Sequence, residues 1–326
     1  MLVLGIESTC DETGAAIVKD GHKILSNVLA SSADIHEKYG GVFPELACRR
    51  HIDAILPVID EAVQKANVTP DQIDLIAVAK GPGLIGALLI GMNAAKGLAI
   101  AWNKPLIGVN HVEAHLYASM MGLKNISTPA LGIVLSGGHT LLLKILSIGS
   151  YEPIATTVDD AIGEAFDKVA ALLGLPYPGG PHVERIAARG NSKAHSFTAG
   201  KVKRSPIDFS FSGLKTAVLY AVKRGPTVAA DIAASFQETA FRDIANKAYQ
   251  ASKTFACQAI FLGGGVCANQ RLRQIMTETF PNTPIHWPST TLSLDNAAMI
   301  AGLGAHKILL GPDPLDLEVQ TRIPLG

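Results

Sequence analysis

Apolar positions recur with two different periods along this chain. Residues 46–66 (LACRRHIDAILPVIDEAVQKA) carry them at helical spacing, and residues 72–79 (QIDLIAVA) form an unbroken apolar run that predicts a buried strand. The glycine-rich turn GPGLIG follows, then a helix over 87–101 and a short buried strand over 105–109 (PLIGV). HVEAHLYASM opens the next helix. The second half alternates less regularly: AIGEAFDKVAALLG has helical spacing, residues 258–263 read as a strand, Gly263–Gly265 as a turn and ANQRLRQIMTETF as a helix. Such alternation predicts a mixed or parallel sheet flanked by helices in each half, an α/β fold. The polar stretch 124–130 (KNISTPA) places the boundary, dividing the chain into domains 1–128 and 129–326, with the C-terminal helix after Asp295 closing a cleft between them.

Two segments echo each other. Residues 4–18 (LGIESTCDETGAAIV) and 131–145 (LGIVLSGGHTLLLKI) both begin Leu-Gly-Ile, pass a small polar turn, and place a threonine eight residues after the glycine, Thr13 and Thr140. Both predict β-hairpins whose turns expose backbone amides able to hold an anion. The repetition points to a duplicated architecture.

Composition narrows the class. The chain has 326 residues, 48% of them hydrophobic, enough for two buried cores. Twenty-eight basic residues balance 28 acidic ones, so bulk charge selects no partner. Cys10, Cys48, Cys257 and Cys267 are scattered without a Cys-x-x-Cys pair, which fits reduced thiols better than a disulfide framework or a structural zinc site. The first residues, MLVLGIESTCDET, lack the layout of a signal or transit peptide, and the apolar stretch 84–100 is broken by Gly86, Gly91, Asn93 and Lys96. The expectation is a cytoplasmic protein with no membrane span.

The strongest chemical signal is His111-Val112-Glu113-Ala114-His115. Histidines four apart share one helix face and can reach a single ion, with a hard oxygen ligand needed to complete the site. In His-Glu-x-x-His metalloproteases the glutamate directly follows the first histidine. Here Glu113 lies two residues on, about 200° around the helix, and points away from the ion. Asp295, just before the apolar helix AAMIAGLGAHKILL, is the third ligand candidate, although its position alone suits helix capping better.

Glycine turns supply a second chemistry. Ser136-Gly137-Gly138-His139-Thr140 offers amides and a hydroxyl, while Gly263-Gly264-Gly265 leads from a strand into a helix N-terminus suited to a nucleotide. Tyr177-Pro178-Gly179-Gly180-Pro181 and Gly81-Pro82-Gly83 are similar turns, and none has the spacing of the common phosphate-binding loop or the dinucleotide fingerprint. Asp160, Glu164 and Asp167 are candidates for ribose contacts or for a solvated face. Glu7, Asp11 and Glu12 crowd the first hairpin, where like charges call for a nearby cation or donor, and they are phosphate-facing candidates. Lys201, Lys203, Arg204, Arg49 and Arg50 suit phosphates or plain surface.

The segments GIESTCDETGAAIV, YGGVFPELACRRH, GPGLIGALLIG, NHVEAHLYA, LSGGHT, DDAIGEAFDKVA, YPGGP, FSFSGLKTAV, FLGGGVCAN and LDNAAMIA occur in this order along essentially the whole chain. Together they resemble the universal tRNA threonylcarbamoyladenosine transferase family, called TsaD in bacteria. The ESTCDET opening is similar to its bacterial and organellar branch. The resemblance implies two RNase H-like domains of the actin, sugar-kinase and Hsp70-ATPase superfamily around a nucleotide cleft. It implies transfer of a threonylcarbamoyl group from threonylcarbamoyl-AMP to N6 of adenosine 37 in tRNAs reading ANN codons. His111, His115 and Asp295 match the family's ligands for one divalent metal, usually assigned as iron though zinc is also found. The substrate positions fall on Val134, Leu135, Ser136, Gly137, Gly138, Asp167, Gly180, Glu184 and Asn269; Glu184 stands where aspartate is common. Partners implied are tRNA and TsaB-like and TsaE-like proteins. A kinase or ATPase of the same superfamily is the alternative, and a metalloprotease a weaker one. No side chain is assigned as a covalent nucleophile, with Cys10 the rival.

Overall fold

A computed structural model describes residues 1–31, 44–203, 205–225 and 228–323; Arg204 and the first five residues of the YGGVFPELACRRH segment lie outside it. The chain forms two units, Met1–Asn125 together with the stretch that begins at Ser289, and Ile126–Pro288.

In the first unit, β1 (Leu2–Glu7), β2 (Glu12–Lys19) and β3 (Lys23–Ser31) form an antiparallel meander. After α1 (Pro44–Lys65) the chain adds β4 (Leu75–Gly81) parallel to β1. Then α2 (Ile85–Trp102) leads to β5 (Leu106–Asn110), parallel to β4, giving the order β3-β2-β1-β4-β5. The strand predicted over 72–79 begins later, because Pro70–Gln72 forms a 3-10 turn in which Gln72 Oε1 accepts the Thr69 amide at 2.9 Å.

The residues of β1 after Leu2 are buried, so both sheet faces are covered. Leu4 and Ile6 join Ile55, Val58, Ile59 and Ala62 of α1 and Met92, Ala95 and Ala99 of α2 in one core. The intervening Gly5 points to the opposite face, as strand alternation requires. There it meets the backbone of α10 (Ala297–Lys307): a Cβ at Gly5 would lie 2.3 Å from Ala297 O and 2.7 Å from Ala301 N.

This contact corrects the expected division at 128/129. The helix after Asp295 belongs to the first unit, because its small residues lie directly on β1, β2 and β4. Among the described residues α2 alone is long and apolar enough to cross a bilayer; here it packs against β4 and α1.

The second unit repeats the plan. β6 (Ala130–Leu135), β7 (Thr140–Ser147) and β8 (Ser150–Thr156) are antiparallel neighbours. Four helices follow, α4 (Ile162–Leu172), α5 (Gly179–Ala187), α6 (Ser212–Lys223) and α7 (Ala229–Ser252). Then come β9 (Ile260–Gly263), parallel to β6, α8 (Gln270–Thr279) and the short β10 (Ile285–His286). The order β10-β9-β6-β7-β8 reproduces the first sheet strand for strand. Phe166, Phe209, Phe211, Phe236 and Phe241 anchor its core.

The echoed hairpins are therefore β1–β2 and β6–β7, and the two threonines do similar work. Thr13 Oγ1 lies 2.7 Å from His51 Nδ1 on α1, and Thr140 Oγ1 accepts the Ile162 amide of α4 at 2.8 Å. Gly5→Val should destabilise the protein by about 2–3 kcal/mol through overpacking, read as a lower denaturation midpoint. An unchanged midpoint would remove the role given to the close helix approach.

Candidate metal centre

No loop separates β5 from α3 (His111–Ala118): Asn110 ends the strand and caps the helix, its Oδ1 accepting from Val112 N at 2.9 Å and Glu113 N at 3.2 Å. The sheet edge thus fixes where His111 and His115 start, one turn apart on a fully buried helix. Their rings meet edge to face at 4.6 Å.

Asp295 arrives from far along the chain, between α9 (Thr290–Ser293) and α10. Its neighbour Asn296 performs the capping, accepting from Met299 N at 3.0 Å. Asp295 instead turns to the histidines: Oδ1 is 2.9 Å from His115 Nε2 and 3.6 Å from His111 Nε2. The capping role that its position suggested falls to the next residue.

Glu7, at the end of β1, is fully buried behind His111. Its Oε2 lies 2.9 Å from His111 Nδ1, and its Oε1 accepts the Thr9 amide at 2.7 Å. This corrects the phosphate-facing role expected of Glu7, since both oxygens are engaged inside the protein. A carboxylate accepting Nδ1–H leaves Nε2, on the Asp295 side, as the nitrogen available to a metal once its proton is displaced, the orientation found behind metal-bound imidazoles. One donor atom from each of His111, His115 and Asp295 falls within 4.8 Å of the others. Two imidazoles and a carboxylate, with positions left open for substrate, suit a divalent transition metal.

Glu113 is turned elsewhere, as the helical angle predicts: its Oε2 pairs with Lys307 Nζ at 2.8 Å. No glutamate base in the metalloprotease arrangement is formed there.

Burial opposes a charge on His111, but the carboxylates of Glu7 and Asp295 outweigh it and lift its pKa to about 9 without metal. That proton stabilises the metal-free fold below about pH 6.5, and the contribution is lost as pH rises through about 9. A bound cation replaces the proton, so metal affinity runs the opposite way. In the same hairpin, burial raises Glu12 to about 7, with the Ser31 hydrogen bond opposing and Asp295 and Asp11 adding to the rise. Burial, then Asp295, Asp11 and Glu7, push the Cys10 thiol well above its ordinary value. It stays a thiol at neutral pH and is a poor nucleophile.

In the second unit, Val134 and Leu135 are buried in β6 and end at the turn Ser136–Gly138. The turn is closed by Ser136 N donating to His139 O at 2.9 Å and His139 N to Ser136 Oγ at 3.1 Å. It rests on α4, where a Cβ at Gly163 would lie 2.7 Å from Gly137 Cα. The space above Gly137, Gly138 and Gly180 is open. Asp167 Oδ1 accepts from Gly179 N at 2.7 Å, and Glu184 Oε1 from Gln270 N at 2.7 Å. Asn269 caps α8 through Oδ1 and donates one Nδ2 proton to Gln237 Oε1 at 2.8 Å. Asp160, half-buried, pairs with Lys168 and Lys215, and the exposed Glu164 pairs with Lys168.

The sequence profile of TsaD, tRNA N6-adenosine threonylcarbamoyltransferase, matches residues 23–302. A curated tRNA N6-adenosine threonylcarbamoyltransferase of Protochlamydia amoebophila is 58% identical, the match covering 100% of this chain and 98% of the relative. That of Chlamydia pneumoniae is 51% identical over 99% of this chain and 96% of its own length. The chain belongs to the TsaD family. It is a transferase. A ROK hexokinase from Thermus thermophilus superposes with a TM-score of 0.54 at 14% identity, covering 95% of this chain and 100% of that one. At that identity the likeness concerns architecture alone, a two-domain α/β plan.

What the sequence reading missed in this TsaD chain is the support around the ligands, Glu7 behind His111 and His51 behind the hairpin. His51 closes the ELACRRH segment, whose helical spacing was its one signal. Glu7→Gln should weaken Co2+ affinity about 10- to 100-fold. In the wild type, apparent affinity should rise about tenfold per pH unit between pH 7 and 9, one proton leaving per ion. A pH-independent affinity would contradict the competition between proton and cation at His111.

Proposed function

We propose that this chain completes N6-threonylcarbamoyladenosine at position 37 of tRNAs reading ANN codons, taking the threonylcarbamoyl group from threonylcarbamoyl-AMP. The convergence of His111, His115 and Asp295 in a chain of this family carries the reading. In the reaction the adenosine N6 amine attacks the carbamoyl carbon. A C–N bond forms, the bond to the AMP phosphate oxygen breaks, and the amine loses a proton.

His111, His115 and Asp295 would hold the divalent ion, iron in our proposal with zinc also compatible with the donors. Such an ion supplies Lewis acidity toward a carbonyl or phosphate oxygen. The Ser136–Gly138 turn would present its backbone to the adenylate, as a preformed dipole toward developing charge. Val134 and Leu135 lead into that turn, and the space at Gly180 is open. Glu184 and Gln237 line a cavity of about 320 Å3 with Gln270, and we place the nucleoside there. Asp167 anchors the glycine turn that opens α5, the helix carrying Glu184, and Asn269 has a second Nδ2 proton to offer a ligand. Asp11 and Glu12 stay phosphate-facing candidates only with a cation between, given their charge. AMP leaves readily, so no covalent nucleophile is required, in accord with the raised pKa of Cys10.

The partner set we propose is tRNA with TsaB-like and TsaE-like proteins, in the cytoplasm. Ile52 and Leu56 of α1 and Leu89 of α2 are exposed side by side, 62%, 61% and 44% accessible. An apolar face of this kind marks a protein contact, and we assign it to the TsaB-like protein. Leu56→Asp should weaken that association at least tenfold and leave metal content unchanged. Equal association by the variant would remove the assignment.

The direct test incubates the protein with threonylcarbamoyl-AMP, unmodified tRNA and these partners, followed by mass spectrometry of the nucleosides. Threonylcarbamoyladenosine should form with the wild type and with Cys10→Ala, and fall at least a hundredfold with His111→Ala or His115→Ala. ATP-dependent phosphate transfer with tRNA untouched would contradict the proposal and favour a kinase.

A further inference from the structure

The turn between β1 and β2 is tied down at three successive residues. Ser8 Oγ donates to Ala87 O of α2 at 3.0 Å, and Thr9 O accepts from Leu84 N at 2.8 Å. Cys10 O lies 2.9 Å from His51 Nε2. The close fit leaves no room at the helix: a Cβ at Gly83 would sit 2.5 Å from Thr9 O, and one at Gly91 2.2 Å from Ser8 Oγ.

The third tie differs from the others because it depends on an imidazole. His51 is fully buried on α1, and so, at 1% exposure, is Thr13. A carbonyl only accepts, so Nε2 must carry the hydrogen given to Cys10 O. In a neutral ring Nδ1 is then an acceptor, and the Thr13 hydroxyl at 2.7 Å donates to it. One side chain therefore closes the turn from both ends, at Cys10 and at the first residues of β2.

From this clamp an unbroken series of contacts runs to the metal ligands. Thr9, next to Cys10, gives its amide to Glu7 Oε1, and Glu7 Oε2 meets His111 Nδ1. Thr9 Oγ1 also lies 3.3 Å from His111 Nδ1. The turn thus sets the carboxylate that orients the imidazole.

We infer that His51 is a positioning residue for the metal centre: by locking Cys10 and Thr13 it holds the Thr9–Glu7 support of His111 in the ligating orientation. His51 touches neither ion nor substrate. It acts through the turn. The inference rests on the metal reading above.

Three replacements separate its two contacts. Gln places an N–H near the position of Nε2 and keeps the bond to Cys10 O; Asn and Ala lose it. Thr13→Val removes the hydroxyl at nearly constant volume and guards against a His51 variant that fails to fold. Two readouts are used: hydrogen exchange of the segment Ser8–Asp11 in metal-free protein, and Co2+ affinity with its visible absorption spectrum. His51→Ala and His51→Asn should speed exchange in the turn at least tenfold, weaken Co2+ binding about 3- to 10-fold and alter the spectrum. His51→Gln should restore both toward wild type, and Thr13→Val should fall between. Equal losses in Gln and Ala, or unchanged exchange and spectrum in all four variants, would overturn the inference. A wild type that binds no Co2+, with the exchange pattern still following Cys10, would overturn the metal reading and reduce His51 to a fold clamp.

Discussion

A carboxylate buried without water must face a cation or a donor, and that constraint organises this molecule around Glu7. The end of β1 brings Glu7 to zero exposure, and His111 at 2.9 Å answers it. Once His111 is held by Nδ1, its other nitrogen faces the place where His115 and Asp295 converge. The rest of the first unit serves this arrangement. Asn110 starts α3 at the sheet edge, and Asn296 takes the cap of α10, so that Asp295 turns to the imidazoles. Gly5 lets α10 lie close enough to deliver it.

The two units share one sheet order and one hairpin device, yet they have diverged in chemistry. In the first, the hairpin carries acids and is clamped through an imidazole. In the second, it carries glycines and is docked by Thr140 directly on the amide of α4. The same topology thus supports a cluster of two histidines and an aspartate that could hold a metal ion in one case and an open backbone turn in the other. Function resides in these residues, and the fold alone, shared with a hexokinase, does not fix it.

Much of this was legible from sequence where the signal is local. The histidine spacing, the hairpins and most strands follow from periods of two or 3.6 residues, and the angle of Glu113 followed from helix geometry. Long-range pairings left weaker traces. Glu7 looked like one of several crowded acids, because its partner lies 104 positions away. Capping by Asp295 and by Asn296 is indistinguishable without backbone geometry. The C-terminal helix was assigned to the second half by contiguity; its run of alanines and glycines, suited to close packing on a sheet, was the available hint of its return. His51 gave only an apolar rhythm around it, since a buried imidazole clamp depends on a turn residue 41 positions earlier.

A single ion held by residues brought together from positions 111, 115 and 295 is the feature on which the proposed chemistry depends. Anomalous diffraction from a crystal loaded with iron or zinc tests it most directly. A single strong peak is expected within bonding distance of His111 Nε2, His115 Nε2 and the Asp295 carboxylate, with Glu7 behind His111. A peak elsewhere, or imidazoles parted from that carboxylate in the loaded protein, would contradict it.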